Sequence, residues 1–455
     1  MKTLIAQPPP PWLSGMVGGI LAVLAVLPLP SGPLWFDEFF VANLTTFNNP
    51  LSQVLEVVRS GDAHPPLFYL YARAYTHLVG LAGAGLTPPP EGFEPTFRAM
   101  NLLPLFLIGA LIGLWLPPLQ ALLALGLLAG SEGFVLKGQE ARMYPWLAFF
   151  TLWGVYALVE RRPWLLSSAT LLAGCTHYLG LLFLGPLLLW GLWWQWKQHR
   201  WWGLAPFLPL SLYLPWLPAL FQQLQGASVA ELLRPASFMA LYLYNGVAGH
   251  YVVTLALYAL LFAGVWRERN DPSLILPPLY IALFPLFWYA QSSLGPNTVS
   301  ERYFGSFLPV FVVSALRMAP AAWLRLFAYG LGLAACLAVA GVRLGPPLLP
   351  NEGYRSMAAV LAKAEATGGW IVYGNEKGRL SALRYYHRSE TPFALPEAQE
   401  PLPERFFTLV MPGAIATEMG ERLLSMETRA LQAGYRRSVV QDGPLFFTRW
   451  EASAR

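Results

Sequence analysis

The residues Leu34-Trp35-Phe36-Asp37-Glu38-Phe39-Phe40 set two adjacent carboxylates among aromatic and apolar side chains. The phenylalanines around them disfavour bulk solvation. A carboxylate held in such surroundings can take a proton from a hydroxyl or amine. His64-Pro65-Pro66 follows in the same segment, and further polar groups stand between apolar runs: Arg98, then Lys137, Glu140, Arg142 and Tyr144, and later Glu301, Arg302 and Tyr303. Cations in this set, or a carboxylate-held metal ion, could stabilise a departing phosphate. The aromatic rings offer faces for a sugar or a prenyl chain.

Several of these side chains carry a second reading. His64 before two prolines can be turn chemistry. Arg98 can be an interfacial anchor whose guanidinium snorkels to the headgroups. Arg302 beside Glu301 can be a surface ion pair of small energetic weight. His177-Tyr178, at the end of an apolar run, can be a satisfied helix histidine or a substrate contact. His250-Tyr251 is the weaker case of the same pattern.

These groups must be positioned by membrane helices. Of 455 residues, 55% are hydrophobic and 12% charged, against about 25% charged in soluble proteins. Apolar runs of roughly 20 residues read as transmembrane helices. About eleven are expected, near 12–30, 99–116, 119–134, 144–159, 163–178, 180–196, 203–220, 240–266, 273–291, 303–317 and 322–343. The abundant Trp, Tyr and Phe fit interface belts. The first run is read as a retained helix rather than a signal peptide, because no clear cleavage site follows Leu27-Pro28-Leu29-Pro30. The net charge of +5 sits in loops and is no sign of nucleic acid. Cys175 and Cys336, both within apolar runs, read as small buried hydrophobes.

Four short basic loops, at Glu160-Arg161-Arg162, Lys197-Gln198-His199-Arg200, Arg267-Glu268-Arg269 and Arg317 to Arg325, can all lie on one side. The positive-inside rule makes that side cytoplasmic. Counting back places Asp37-Glu38 and the outer loops 31–98, 132–143, 221–239 and 292–302 outside the cytoplasm. The segment Pro66 to Gly85 is then an interfacial amphipathic helix. Residues 1–343 are expected to form the transmembrane catalytic domain, its first outer loop 31–98 carrying interfacial helices. Residues 344–455 alternate helical and strand patterns and are expected to form a small soluble α/β domain on the extracytoplasmic face. Helices are expected at Glu352 to Ala366, Leu380 to His387 and Glu418 to Ala433, and strands at Gly369 to Gly374 and Phe406 to Val410. A hairpin is expected from Tyr435 to Trp450 around Asp442-Gly443.

The polar groups thus collect on one side of the membrane, while the spans are nearly free of charge. A transporter or flippase would need ionisable residues at mid-membrane, so a surface reaction is the stronger expectation. The parts suit glycosyl transfer from a lipid phosphate, with Asp37 as base, Glu38 orienting acceptor or metal, and Arg142 and Arg302 meeting the phosphate. His64, Arg98, Glu140, Tyr144, His177, Glu301 and Tyr303 complete the expected substrate set. A divalent cation, Mg or Mn, on Asp37 and Glu140 stays open. The expected partners are a lipid-phosphate-linked sugar donor, membrane lipids and an extracytoplasmic acceptor. An oligosaccharide ligase working from a lipid diphosphate would overlap in chemistry and differ in donor size.

Taken in order, these motifs resemble the GT-C glycosyltransferases, and most closely the protein O-mannosyltransferase-like group that includes the aminoarabinose transferases of lipid A. The resemblance rests on Asp37-Glu38 followed by His64-Pro65-Pro66-Leu67-Phe68-Tyr69. Phe97-Arg98-Ala99-Met100-Asn101, Glu140-Ala141-Arg142-Met143-Tyr144 and Glu301-Arg302-Tyr303 then follow. It covers the chain to about Val342. It implies an all-α polytopic fold, a polyprenyl-phosphate-linked donor, an inverting transfer at the extracytoplasmic face of the cell (inner) membrane, and the base role for Asp37. Two departures stand out. Many relatives carry an acidic residue shortly after the outer-loop arginine, where this chain has Met143-Tyr144-Pro145-Trp146 and Glu140 stands before it. The aminoarabinose transferases carry Lys-Pro where this chain has His64-Pro65, which argues against that sugar.

Overall fold

The computed structural model describes residues 10–31, 34, 36–46, 49–61, 64–83, 92–226, 251–268, 277–284, 303, 305–319, 402, 405–409, 418–442 and 445–452. The chain divides into two compact units. One comprises Met1–Pro30, Pro50–Ala72 and Arg98–Leu349, and the other Ser31–Asn49, Arg73–Phe97 and Pro350–Arg455.

The first unit is an all-α bundle. It contains α1 (Pro11–Leu24), α3 (Leu51–Gly61), α6 (Leu102–Trp115), α7 (Pro118–Ala129), α8 (Glu132–Gln139), α9 (Tyr144–Val159), α10 (Pro163–Thr176), α11 (Tyr178–His199) and α12 (Leu217–Gly226). Two further helices follow at Tyr251–Arg267 and Leu308–Met318. α1, α7, α9 and α10 open with proline in the first turn, where its missing N–H costs nothing. Among the described residues, three helical stretches, Phe93–Trp115, Tyr178–His199 and Gly203–Gln223, are long and apolar enough to cross a membrane. The chain is a membrane protein.

Size, rather than polarity, distinguishes the faces of these helices. α1 buries Gly15, Gly18, Gly19 and Ala22 and exposes Trp12, Met16, Val17, Ile20 and Leu24. Lipid tails are as apolar as leucine, so helices associate through close van der Waals packing of small residues. Gly18 and Gly109 face each other backbone to backbone, and Gly113 meets the Ser14 carbonyl. Any Cβ at Gly18 or Gly109 would run into the other residue's carbonyl oxygen.

Two departures from the expected spans have local causes. The expected span 119–134 stops at Ala129, and residues expected as outer loop form α8. The two helices meet at a 73° bend across Gly130-Ser131, where the Ser131 hydroxyl donates back to the Leu127 carbonyl at 2.6 Å. Hydropathy continues through Phe134-Val135-Leu136 and is blind to the change of direction. The expected span 203–220 falls on a 3-10 helix, Arg200–Trp216, with Pro206, Pro209 and Pro215 inside it. Prolines at multiples of three lie along one edge of a three-residue turn, and each removes a donor. At about 2.0 Å rise per residue, its 17 residues extend about 34 Å, enough for the roughly 30 Å hydrocarbon core.

In the second unit, α2 (Phe36–Thr46) and the segment from Arg73 to Phe97 are tied by side-chain bonds. Thr76 Oγ1 donates to the Thr45 carbonyl at 2.9 Å, and the Tyr75 hydroxyl donates to the Thr96 carbonyl at 2.7 Å. Burial holds the Tyr75 phenol above its ordinary value, so it remains a donor. α4 (Leu67–Leu78) has 12 residues, about 18 Å at 1.5 Å each, too short for a straight crossing. α5 is Phe93–Arg98.

Near the C-terminus, β1 (Arg405–Leu409), β2 (Tyr435–Asp442) and β3 (Leu445–Ala452) form an antiparallel sheet of order β1-β3-β2. The central strand buries Trp450, paired in register with Arg437. The helix Glu418–Gln432 precedes it and stops at Gly434, whose φ of 80° suits glycine. These elements lie where the sequence pattern places them. The expected helices at Glu352 to Ala366 and Leu380 to His387, the strand at Gly369 to Gly374 and the span 322–343 fall outside the described residues.

Candidate functional site

The first unit gathers a polar and aromatic cluster around α8 and α9. Lys137 and Glu140, one helical turn apart, form an ion pair. The ammonium donates to Oε1 at 2.7 Å and to Oε2 at 2.9 Å. The pair is largely removed from solvent, with side-chain exposures of 15% and 8%. α8 ends at Gln139, and the extended backbone of Glu140 just past it turns the chain. The Arg142 N–H then donates to the Glu140 carbonyl at 2.7 Å, and α9 begins at Tyr144. This turn sends Arg142 and Tyr144 into the interior, where both are buried.

Rings continue the cluster. Lys137 Nζ lies 5.2 Å from the Tyr144 ring centroid, a cation–π distance. Tyr144 lies 6.0 Å from Tyr303, Tyr303 lies 5.1 Å from His177, and His177 meets His64 edge to face at 5.0 Å. His177 interrupts the chain between α10 and α11 in an extended conformation. The Leu179 N–H donates to its Nδ1 at 3.1 Å, which leaves the proton of the neutral ring on Nε2. His64 lies just ahead of α4, whose Leu70 N–H bonds the Pro66 carbonyl at 3.0 Å.

Buried polar side chains brace this arrangement. Asn101 Nδ2 donates to the Glu140 carbonyl. Gln139 Nε2 donates to the carbonyls of Val26 at 2.9 Å and Pro28 at 3.3 Å, tying α8 to the exit of α1. Arg98 is 1% exposed and donates to the Pro30 carbonyl at 2.8 Å, so its guanidinium is held in the interior. Beside His177, the Tyr178 hydroxyl donates to Gln223 Oε1 and accepts from Trp216 Nε1 at 3.0 Å. Gln223 Nε2 in turn donates to the carbonyls of Val58 and Arg59 at 2.9 and 3.1 Å. Of these, Gln139, Trp216 and Gln223 gave no signal in the sequence. Lys137 stood among the polar outer residues, and its spacing from Glu140 was the readable sign of the pair.

In the second unit, Asp37 and Glu38 occupy the first turn of α2. The unpaired N–H groups and positive end of the helix dipole favour carboxylates there. Asp37 is half-buried and Glu38 fully buried. Glu301, Arg302 and His250 lie outside the described residues.

Both oxygens of Glu140 are already taken by the Lys137 ammonium. Among the described residues no group of three or more His, Cys, Asp or Glu could hold a metal ion. In this arrangement Glu140 is held by the Lys137 ammonium.

No protein-family model matches the chain, and no curated protein matches it significantly. Among solved structures, the chain is similar to the crystal structure of ArnT from Cupriavidus metallidurans in the apo state. The TM-score is 0.52 and the identity 14%, with 96% of this chain and 97% of that one covered. The structure of the same ArnT bound to undecaprenyl phosphate gives a TM-score of 0.51 at 13% identity over the same shares. The chain therefore shares the fold of that ArnT.

Proposed function

We propose that the protein is an integral-membrane glycosyltransferase that moves a sugar from a polyprenyl-phosphate donor to an extracytoplasmic acceptor, a glycan, lipid or protein. The observation that carries this reading is the fold shared along 96% of the chain with a protein solved with undecaprenyl phosphate bound. The order of the motifs around Asp37, His64, Arg98, Glu140 and Arg142 adds to it.

Asp37 takes the proton of the acceptor hydroxyl or amine. The acceptor heteroatom bonds to the anomeric carbon from the face opposite the phosphate, inverting it. The bond from that carbon to the phosphate oxygen breaks, and the polyprenyl phosphate leaves with the electron pair. Glu38 orients the acceptor. Arg142 and Arg302 stabilise the charge that develops on the phosphate, where donors aimed at it have most effect. Tyr144, Tyr303, His177 and His64 supply ring faces and polar edges to the sugar. The Lys137–Glu140 pair holds the turn that aims Arg142.

Asp37→Asn keeps the shape of the side chain and removes its basicity. A general base contributes about 10²–10⁴-fold, so transfer should fall by at least that range with insertion and thermal stability retained. Full activity in Asp37→Asn would sink the assignment. Mass spectrometry of envelope glycans with and without the protein would identify the sugar. A single missing residue supports the proposed donor, whereas loss of a whole chain points to a ligase.

A further inference from the structure

α9 starts at Tyr144 in the cluster just described. Its other end, about 24 Å away at 1.5 Å per residue over 16 residues, builds a second site. The helix closes on two reversed bonds, from Arg161 N–H to the Leu158 carbonyl at 3.1 Å and from Arg162 N–H to the Ala157 carbonyl at 2.7 Å. That closure demands a left-handed residue just past the helix, a place usually given to glycine. Here it is Arg161, with φ of 55°.

The strained backbone puts the Arg161 guanidinium on the Trp194 ring at 4.0 Å. Across the gap, Arg317 lies 4.9 Å from the Trp115 ring centroid and 3.1 Å from Glu160, and Trp115 Nε1 donates to the same carboxylate oxygen at 3.0 Å. Glu160 therefore answers Arg317. The ion pairs among the described residues include none to Arg161. Between the two arginines lies a cavity of about 120 Å³, walled by Trp115, Trp190 and Trp194 and floored by apolar side chains such as Ile281.

We propose that this cavity binds an anionic phospholipid of the adjoining leaflet, its phosphate on Arg161 and the start of one acyl chain against the indoles. Three features favour that occupant. Tryptophans mark the depth of the headgroups. Basic pockets between membrane helices hold anionic headgroups. The cavity lies at the end of α9 away from the cluster assigned to sugar transfer, so a donor lipid in turnover has no need of it.

The helix closure supplies a clean test. Arg161→Gly suits the left-handed position better than arginine, so it removes the cation without harm to the fold. In native mass spectrometry of detergent-purified protein with added phosphatidylglycerol, the wild type should retain the lipid. Arg161→Gly should retain it roughly tenfold less well, with an equal or higher unfolding temperature in lipid-free detergent. Trp194→Ala should weaken retention as well. Arg162→Gln, which changes a neighbouring exposed cation outside the cavity, should not. Equal retention by Arg161→Gly overturns the site. An equal loss in Arg162→Gln overturns it in favour of diffuse charge attraction. Displacement of phosphatidylglycerol by an equimolar polyprenyl phosphate overturns the choice of occupant.

Discussion

The Lys137–Glu140 pair shows how a single contact sustains the turn that carries Arg142 and Tyr144. Both side chains are mostly buried, so each charge depends on the other. Losing one partner of a buried pair typically costs about 3–5 kcal/mol, because the remaining charge is left uncompensated. Lys137→Met should therefore lower the unfolding temperature sharply. Lys137→Met combined with Glu140→Gln should restore much of the loss, since both charges of the pair are then removed together. Thermal unfolding in detergent of the two singles and the double reads this coupling. A double mutant no better than Lys137→Met would show that the pair does not hold the turn. Sequence spacing alone could reveal this contact, because residues three apart share a helix face. It could not reveal that His64 meets His177, since they lie far apart in the chain and only packing joins them. Nor could it single out Asn101 or Gln139, whose amides look like ordinary polar residues until their backbone partners are known.

Among the elements, apolar composition located the helices well and their turns poorly. Asp37 and Glu38 were legible as a carboxylate pair, and acidic residues in a first turn are a start signal, here for α2. The bend between α7 and α8 was not legible, because apolar residues continue through it. The contact of α1 with α6 is the clearest case of packing set by glycine. Gly109→Ala or Gly18→Ala places a methyl group against a carbonyl oxygen of the facing helix. Each should cost roughly 1–3 kcal/mol as overpacking and lower the yield of folded protein. Gly185, in α11, has open space where a Cβ would stand. Gly185→Ala should be neutral or stabilising by up to about 1 kcal/mol, from helix propensity alone. Unfolding temperatures of the three variants separate the two causes, and a Gly109→Ala protein as stable as wild type would refute close helix contact.

The molecule as a whole poses the question of which end faces the cytoplasm. Short basic loops favour the cytoplasmic side, and α9 links such a loop, at Glu160-Arg161-Arg162, to the Glu140–Tyr144 turn at its other end. We propose that the Arg161 end is cytoplasmic and that α3, within the first outer segment, is extracytoplasmic. The chemistry depends on this orientation, because the acceptor is assigned to the outer face. Replacing Cys175 and Cys336 by Ala gives a thiol-free background. Ser60→Cys, on an exposed position of α3, and Arg162→Cys, exposed at the end of α9, then report each side separately. In intact cells a membrane-impermeant maleimide should label Ser60→Cys, whereas Arg162→Cys should react only after the membrane is opened. The reverse pattern would turn the molecule over. Labelling of both in intact cells would break the single-side placement of the basic loops and move Asp37 away from an outer acceptor.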